Sequence, residues 1–186
     1  MTAWRALQDL ATHGKARLIG VCNFPPHLLE QIVSLDGPRC RVHQTKFKAD
    51  RAWSKEDRTF AAKHDILLQA PSLITSNKPA FLRGKELHSV AAARSASPEQ
   101  VALRFAMQLG VVPVVGSTSA LHLRDDLGAL QGDPLTQREL DKIEWAYSKS
   151  IPKPQGQGHL PRARTGDAAD MKKRAKRAKH GHVIKH

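Results

Sequence analysis

The chain has 186 residues, of which 40% are hydrophobic, and it carries a formal net charge of +13. This apolar content is enough for one domain with an ordinary core, and it excludes a chain that is disordered throughout. So high a charge is unusual for a metabolic enzyme and predicts a polyanionic partner or an acidic protein surface. No apolar run is long enough to predict a membrane span or a signal core.

Cys22 and Cys40 are the only cysteines, and their separation does not fit a disulfide framework or a metal site. We therefore predict an intracellular, reducing compartment, and a mitochondrion or another organelle is compatible with that prediction. Three histidines, His180, His182 and His186, cluster near the C-terminus. They have no rigid scaffold around them, so we predict no metal site.

Hydrophobic periodicity predicts an α/β chain. Trp4, Leu7 and Leu10 mark one face of an N-terminal helix, and apolar runs then alternate with segments of helical period, as in strand–helix units around a parallel sheet. The predicted strands are 17–21, 41–45, 66–70 and 111–115. The predicted helices begin at the Pro25-Pro26 pair and then cover 54–64, 98–109, 120–130 and 135–146, whereas 71–97 is predicted to be a long polar loop.

Two of these helices begin with capping signals. Ser97, Pro98 and Gln100 combine a capping hydroxyl, a proline at the first helical position and a side chain that can reach back to the cap. Thr136 and Glu139 repeat the capping pair before the last helix. We therefore expect both helix starts to be well defined.

The composition changes after residue 150, where prolines and glycines predict a linker to a tail too polar to fold by itself. We divide the chain into a folded domain, 1–150, and a linker with a disordered basic tail, 151–186. From Lys153 onward the chain has ten basic and two acidic residues, which gives this segment a net charge of +8. The residues before Lys153 carry the remaining +5. A basic run places six cations in eight positions: Lys172, Lys173, Arg174, Lys176, Arg177 and Lys179. We predict that this run contacts RNA, and a solubilising or targeting tail is the alternative.

Three segments carry a resemblance to one enzyme family. Residues 14–24 read GKARLIGVCNF, residues 42–44 read VHQ, and residues 98–118 read PEQVALRFAMQLGVVPVVGST. In this order they resemble the C-terminal half of the aldo-keto reductases. The resemblance implies a (β/α)8 TIM-type barrel that reduces carbonyl compounds with NADPH. This chain would supply a partial barrel of about four β/α units and a closing helix.

The same resemblance implies that no catalytic residue lies in this chain. In the family the catalytic Asp, Tyr, Lys and His belong to the first half of the barrel, ahead of the matched segments. Tyr147, the single tyrosine, falls in the closing helix and does not match the family's proton donor.

The resemblance also implies a nicotinamide site. A Ser-Asn pair after strand five and a Gln after strand six hold the carboxamide in the family, and Cys22, Asn23 and Gln44 stand at the matching positions. The aromatic residue that stacks on the nicotinamide would fall at Pro71, which has no π face. Asn23 and Gln44 therefore have an alternative role, which is to satisfy backbone groups at the strand ends.

The adenosine side of the family's site is matched less well. The Lys-Ser pair and the downstream Arg that bind the 2′-phosphate correspond to Gly116, Ser117 and His122, so both fixed cations are missing. The Glu and Asn that meet the adenine correspond to Asp125 and Asp126. We therefore regard the cofactor positions as vestigial, and we expect NADP(H) to bind weakly or not at all.

A half barrel would have two open sheet edges and one uncovered apolar face. It would have to pair with itself, with a chain carrying the other half, or with a larger assembly. Two hypotheses follow. The first is a non-catalytic fragment that is a structural component of a large complex, such as the ribonucleoprotein of an organellar ribosome, anchored by the basic tail. The second is the cofactor-side part of an NADPH-dependent oxidoreductase of aldehydes or ketones, with its catalytic half on another chain or in missing upstream coding sequence.

Overall fold

The structure, a computed structural model, describes residues 2–77 and 81–148. The linker and basic tail predicted from the sequence, including the run at 172–179 and the three C-terminal histidines, lie outside the described residues. So the predicted division of the chain into two parts stays a prediction.

The described part contains one parallel sheet of four strands in the order β1-β2-β3-β4. In register, Cys22 lies opposite Gln44, Gln44 opposite Gln69, and Gln69 opposite Val112. The four strands predicted from the sequence are confirmed to within two residues at each end. Their bounds are Ile19–Cys22 for β1, Cys40–Gln44 for β2, Leu67–Pro71 for β3 and Val111–Val114 for β4.

Helices connect the strands, so the predicted strand–helix alternation is confirmed. The described residues form eight α-helices: α1 Thr2–Thr12, α2 Pro26–Val33, α3 Lys55–His64, α4 Leu73–Ser76, α5 Lys85–Ala93, α6 Pro98–Gln108, α7 Ala120–Gly128 and α8 Gln137–Ser148. A 3-10 helix, Ala49–Ser54, precedes α3. Both capping signals are also confirmed, because Ser97 accepts from the Gln100 backbone and Glu139 accepts from the backbone N–H of Thr136 at 2.8 Å.

The prediction of a long loop between β3 and α6 was wrong. Helix α5 occupies nine residues of that segment and buries Leu87, Val90 and Ala91. These three residues are spaced i, i+3 and i+4, which places them on one face of a helix. The polar residues between them hid this short pattern.

The core lies between the sheet and the helices on one side of it. Its centre is a cluster of aromatic rings in which Trp53, fully buried, lies 5.2 Å from Phe47, 4.8 Å from Phe81 and 5.0 Å from Phe105 between ring centroids. Sheet residues Leu68, Ala70 and Val111 pack into the same core.

The opposite side of the sheet, here called the inner face, is not covered in the described part of the chain. Leu67 is 41% exposed, Val112 41% and Val114 40%. Because these side chains alternate with buried ones along β3 and β4, the exposure belongs to one face of the sheet. These three residues are apolar, and a parallel sheet normally buries apolar residues on both of its faces.

Candidate functional site

Polar side chains form a ladder across the inner face, at the last residues of β1 and β2 and at the middle of β3. The Asn23 side-chain amide donates to the Cys22 sulfur at 3.3 Å, and the Cys22 thiol donates to Gln44 Oε1 at 3.7 Å. The Gln44 amide in turn donates to Gln69 Oε1 at 3.3 Å. The structure therefore brings together all three residues that the sequence assigned to a nicotinamide site, and it adds Gln69.

The ladder is fixed at its first residue by the backbone. Asn23 has φ of 54°, in the left-handed region that asparagine tolerates better than most residues. Its backbone N–H donates to the Gln44 carbonyl at 2.8 Å. The chain then turns at once into α2, which has Pro26 at its start. These constraints hold the Asn23 amide at the end of β1.

A cleft of about 670 Å³ lies beside the end of β4. It is lined by the start of α4, the first turn of α6, and the segment from the end of β4 into α7. The four adenosine-side residues Ser117, His122, Asp125 and Asp126 all line it, together with Gly116. The structure thus collects in one place the residues that the sequence had matched to the adenosine site.

Hydrogen bonds within the cleft restrict two of these residues. The Asp125 carboxylate accepts from the Gln100 side chain at 2.9 Å and from the Ser97 hydroxyl at 3.2 Å, so it is bound to the cap of α6. The Ser117 oxygen accepts from the Ser119 N–H at 3.0 Å, which leaves the Ser117 hydroxyl proton for a ligand. Asp125 therefore links α7 to the start of α6, and it also lines the cleft.

The cleft has an excess of negative charge. Glu99, Asp125 and Asp126 line it, and its described lining contains neither lysine nor arginine. Burial and the neighbouring Asp125 carboxylate raise the pKa of Asp126 above its ordinary value, and His122 opposes that shift. The fixed cations that a 2′-phosphate needs are therefore missing from this lining.

His43 lies on the covered side of the sheet, where it is 1% exposed. Burial lowers the pKa of its imidazole, and the Asp57 carboxylate only partly offsets this. It is thus placed away from the ladder, as a packing residue. In the described ranges no group of three or more histidine, cysteine, aspartate or glutamate residues could hold a metal ion, and no helix there is long and apolar enough to span a membrane.

Sequence comparison gives the family. The family model described as "Aldo/keto reductase family" matches residues 48–148, more than half of the chain. This chain therefore belongs to the aldo/keto reductase family, as its sequence motifs predicted. Glyoxal reductase of Bacillus subtilis is 32% identical over 141 residues, which are 76% of this chain and 50% of that protein. NADPH-dependent codeinone reductase 1-5 of Papaver somniferum is 26% identical over 173 residues, 90% of this chain and 49% of that protein.

Solved structures agree with this assignment. An aldo/keto reductase from Brucella melitensis superposes with a TM-score of 0.70 at 25% identity, covering 77% of this chain and 53% of that one. A variant of Gox0644 in complex with NADPH superposes with a TM-score of 0.70 at 25% sequence identity, and the match covers 84% of this chain and 55% of that one. This chain spans about half the length of the relatives it matches. Its four β/α units are therefore part of a TIM-type barrel, as predicted.

The family implies a nicotinamide dinucleotide as cofactor. The ladder fits the nicotinamide end of this cofactor better than the cleft beside β4 fits the adenosine end. At the ladder, amide donors and acceptors of Asn23, Gln44 and Gln69 suit a carboxamide. At the cleft, the described residues do not fit the 2′-phosphate of NADP(H), because they include three carboxylates and neither lysine nor arginine.

Proposed function

We propose that this chain is the nucleotide-side half of an aldo-keto reductase barrel whose complete form is an oxidoreductase of aldehydes or ketones. The ladder Asn23–Cys22–Gln44–Gln69 supports this proposal most directly. It presents carboxamide-binding groups on the inner face, at the carboxyl ends of the strands, where barrel enzymes bind their ligands. The cleft beside β4 opens at the same end of the sheet.

The uncovered inner face supports the second part of the proposal. An apolar parallel sheet with β1 and β4 at its edges is completed by further strands that pair with both edges. We propose that polypeptide outside the described residues supplies these strands together with the groups that exchange a proton with the carbonyl. The role of this chain is to bind and orient the nucleotide.

A fusion tests this function. We would join the full chain to the half of B. subtilis glyoxal reductase that it does not match. The assay would follow oxidation of NADH or NADPH by glyoxal. We expect turnover by the fusion and none by the chain alone. Gln44→Ala in the fusion should raise the KM for the dinucleotide about tenfold, because it removes two of the three hydrogen bonds of the ladder.

The control is Gln31→Ala, since Gln31 is an exposed glutamine on α2, outside the ladder. It should leave KM and kcat unchanged. A fusion that is monomeric and helical by circular dichroism, yet turns over neither dinucleotide, would count against the proposal. So would equal effects of the Gln44 and Gln31 substitutions.

A second candidate function is the structural one, in which the basic run anchors this chain to RNA within a ribonucleoprotein. The run at 172–179 favours it, because six cations in eight residues lie beyond the segment that the family model matches. Contacts of this kind release counterions, so their affinity falls steeply with salt.

Filter binding of a single-stranded RNA to the full chain tests this candidate across a salt series. Replacing the six cations of the run by glutamine should lower the slope of log affinity against log salt by about 0.7 for each phosphate that the run no longer neutralises. The control replaces six exposed cations of the folded part: Lys15, Arg39, Lys63, Lys85, Arg124 and Arg138. Equal slopes for the two variants would show nonspecific attraction by net charge and would overturn the tail's role.

A further inference from the structure

The cleft beside β4 is formed by this chain without help from another polypeptide. Ser72 and Thr75 come from the start of α4, Glu99 from α6, and Ser117 and His122 from the segment after β4. Its volume of about 670 Å³ is in the range of small-ligand pockets. An adenosine nucleotide can therefore be tested against the chain as it stands.

The charges in this cleft discriminate between two forms of a dinucleotide. A 2′-phosphate brings up to two negative charges at neutral pH, and a site for it needs a guanidinium or ammonium group. Here it would meet the carboxylates of Glu99, Asp125 and Asp126, and His122 is the one basic side chain among the lining residues that the structure describes. Like charges placed together without a cation repel, so the phosphorylated ligand is disfavoured.

A free ribose hydroxyl suits the same cleft. The hydroxyl of Ser117 has its proton available, and the Asp126 carboxylate lies in the lining of the same cleft. Ribose hydroxyls donate well to carboxylates, which is how many NAD-binding folds recognise the unphosphorylated cofactor. Carboxylates and hydroxyls together favour a neutral sugar edge over a phosphorylated one.

We infer that this cleft binds the adenosine end of NAD(H) and rejects that of NADP(H). The inference rests on the proposed function, because it assumes that the cleft holds a nicotinamide dinucleotide. It sets this chain apart from the relative solved with NADPH.

The test compares two probes that differ only in the 2′-phosphate, namely 5′-AMP and adenosine 2′,5′-bisphosphate. Binding to the full chain would be measured by calorimetry at low and high salt, so that attraction to the basic tail is separated by its salt dependence. We expect 5′-AMP to bind at least about tenfold more tightly than the bisphosphate.

A double variant should reverse this preference. Gly116→Lys and His122→Arg place two cations in the cleft, and both positions accept the change. A Cβ at Gly116 meets no atom within 4 Å, and His122 is exposed. The control adds the same charge on α2 through His27→Arg and Gln31→Lys, at two exposed positions, and should leave the preference unchanged. A third variant, Gly116→Trp, fills the cleft and should abolish binding of 5′-AMP.

Three results would overturn the inference, and they separate it from the proposed function. Equal or tighter binding of the bisphosphate that Gly116→Trp abolishes would reject the NAD(H) preference and keep the nucleotide role. If neither the wild-type chain nor the double variant bound either probe, the NAD(H) preference and the nucleotide role would both be rejected. Binding that Gly116→Trp does not affect would place the nucleotide elsewhere and reject both as well.

Discussion

Replacing Trp53 with alanine is expected to lower the free energy of unfolding by about 3–5 kcal/mol. The indole is fully buried and touches rings from three other parts of the chain. Phe47 follows β2, Phe81 precedes α5, and Phe105 lies on α6. Because these neighbours belong to separate elements, they cannot close together over the cavity that the substitution leaves.

The backbone around Trp53 is held in an unfavourable conformation. Ala52, Trp53 and Ser54 are consecutive residues with φ of 47°, 53° and 51°, a left-handed run that L-residues rarely adopt. Each such residue costs on the order of 1–3 kcal/mol and persists only where packing compensates. Packing of the buried Trp53 ring against three other rings is one such compensating contact. Its removal should therefore also let residues 49–54 change conformation.

Urea unfolding followed by far-ultraviolet circular dichroism would measure the effect without relying on tryptophan fluorescence. Trp145→Ala is the matched control, because Trp145 is 61% exposed on α8. It should change the free energy of unfolding by no more than about 0.5 kcal/mol. A loss below about 1 kcal/mol for Trp53→Ala, or equal losses for the two variants, would show that the aromatic cluster is not the centre of the core.

Much of the fold could be predicted from the sequence, because its signals are local. Strands β1, β3 and β4 are short, largely apolar runs. The start of α6 combines Ser97, Pro98 and Gln100 in a pattern that is typical of a helix start. Helix α5 was missed for the opposite reason. Its three buried residues span only five positions, too few for a period to show above the surrounding polar residues.

The candidate site could be predicted only where a family motif marks it. Gln69 belongs to the ladder because it lies opposite Gln44 in the sheet, and that pairing depends on a strand register that the sequence does not specify. A polar residue inside the apolar run 67–71 was the one available signal. The engagement of Asp125 by Gln100, 25 residues away, likewise depends on how α6 packs against α7.

The ion pair between Arg94 and Glu139 is expected to contribute about 2 kcal/mol to stability at neutral pH. Glu139 accepts from Arg94 Nε at 2.8 Å and from Arg94 Nη2 at 2.6 Å, and also from the backbone N–H of Thr136 at 2.8 Å. The two side chains are only 17% and 20% exposed. Glu139→Gln keeps an oxygen for the Thr136 cap but removes the charge that Arg94 needs.

The pH dependence identifies this contribution. Hydrogen bonds from Arg94 lower the pKa of Glu139 from 4.5 to about 2. The unfolded chain therefore binds a proton at Glu139 before the folded one does, so the stabilisation is complete above pH 4.5 and is lost as the pH falls towards 2. Urea unfolding of the wild type and of Glu139→Gln should consequently converge across that window.

Glu144→Gln is the matched control for this prediction. Glu144 is 39% exposed and meets Arg58 through one contact at 2.9 Å, so its removal should cost at most about 1 kcal/mol. A difference between the wild type and Glu139→Gln that stayed constant from neutral pH down to about pH 2.5 would contradict the assignment. Since Arg94 follows α5 and Glu139 lies in the first turn of α8, this pair would then hold the two helices together by packing and not by charge.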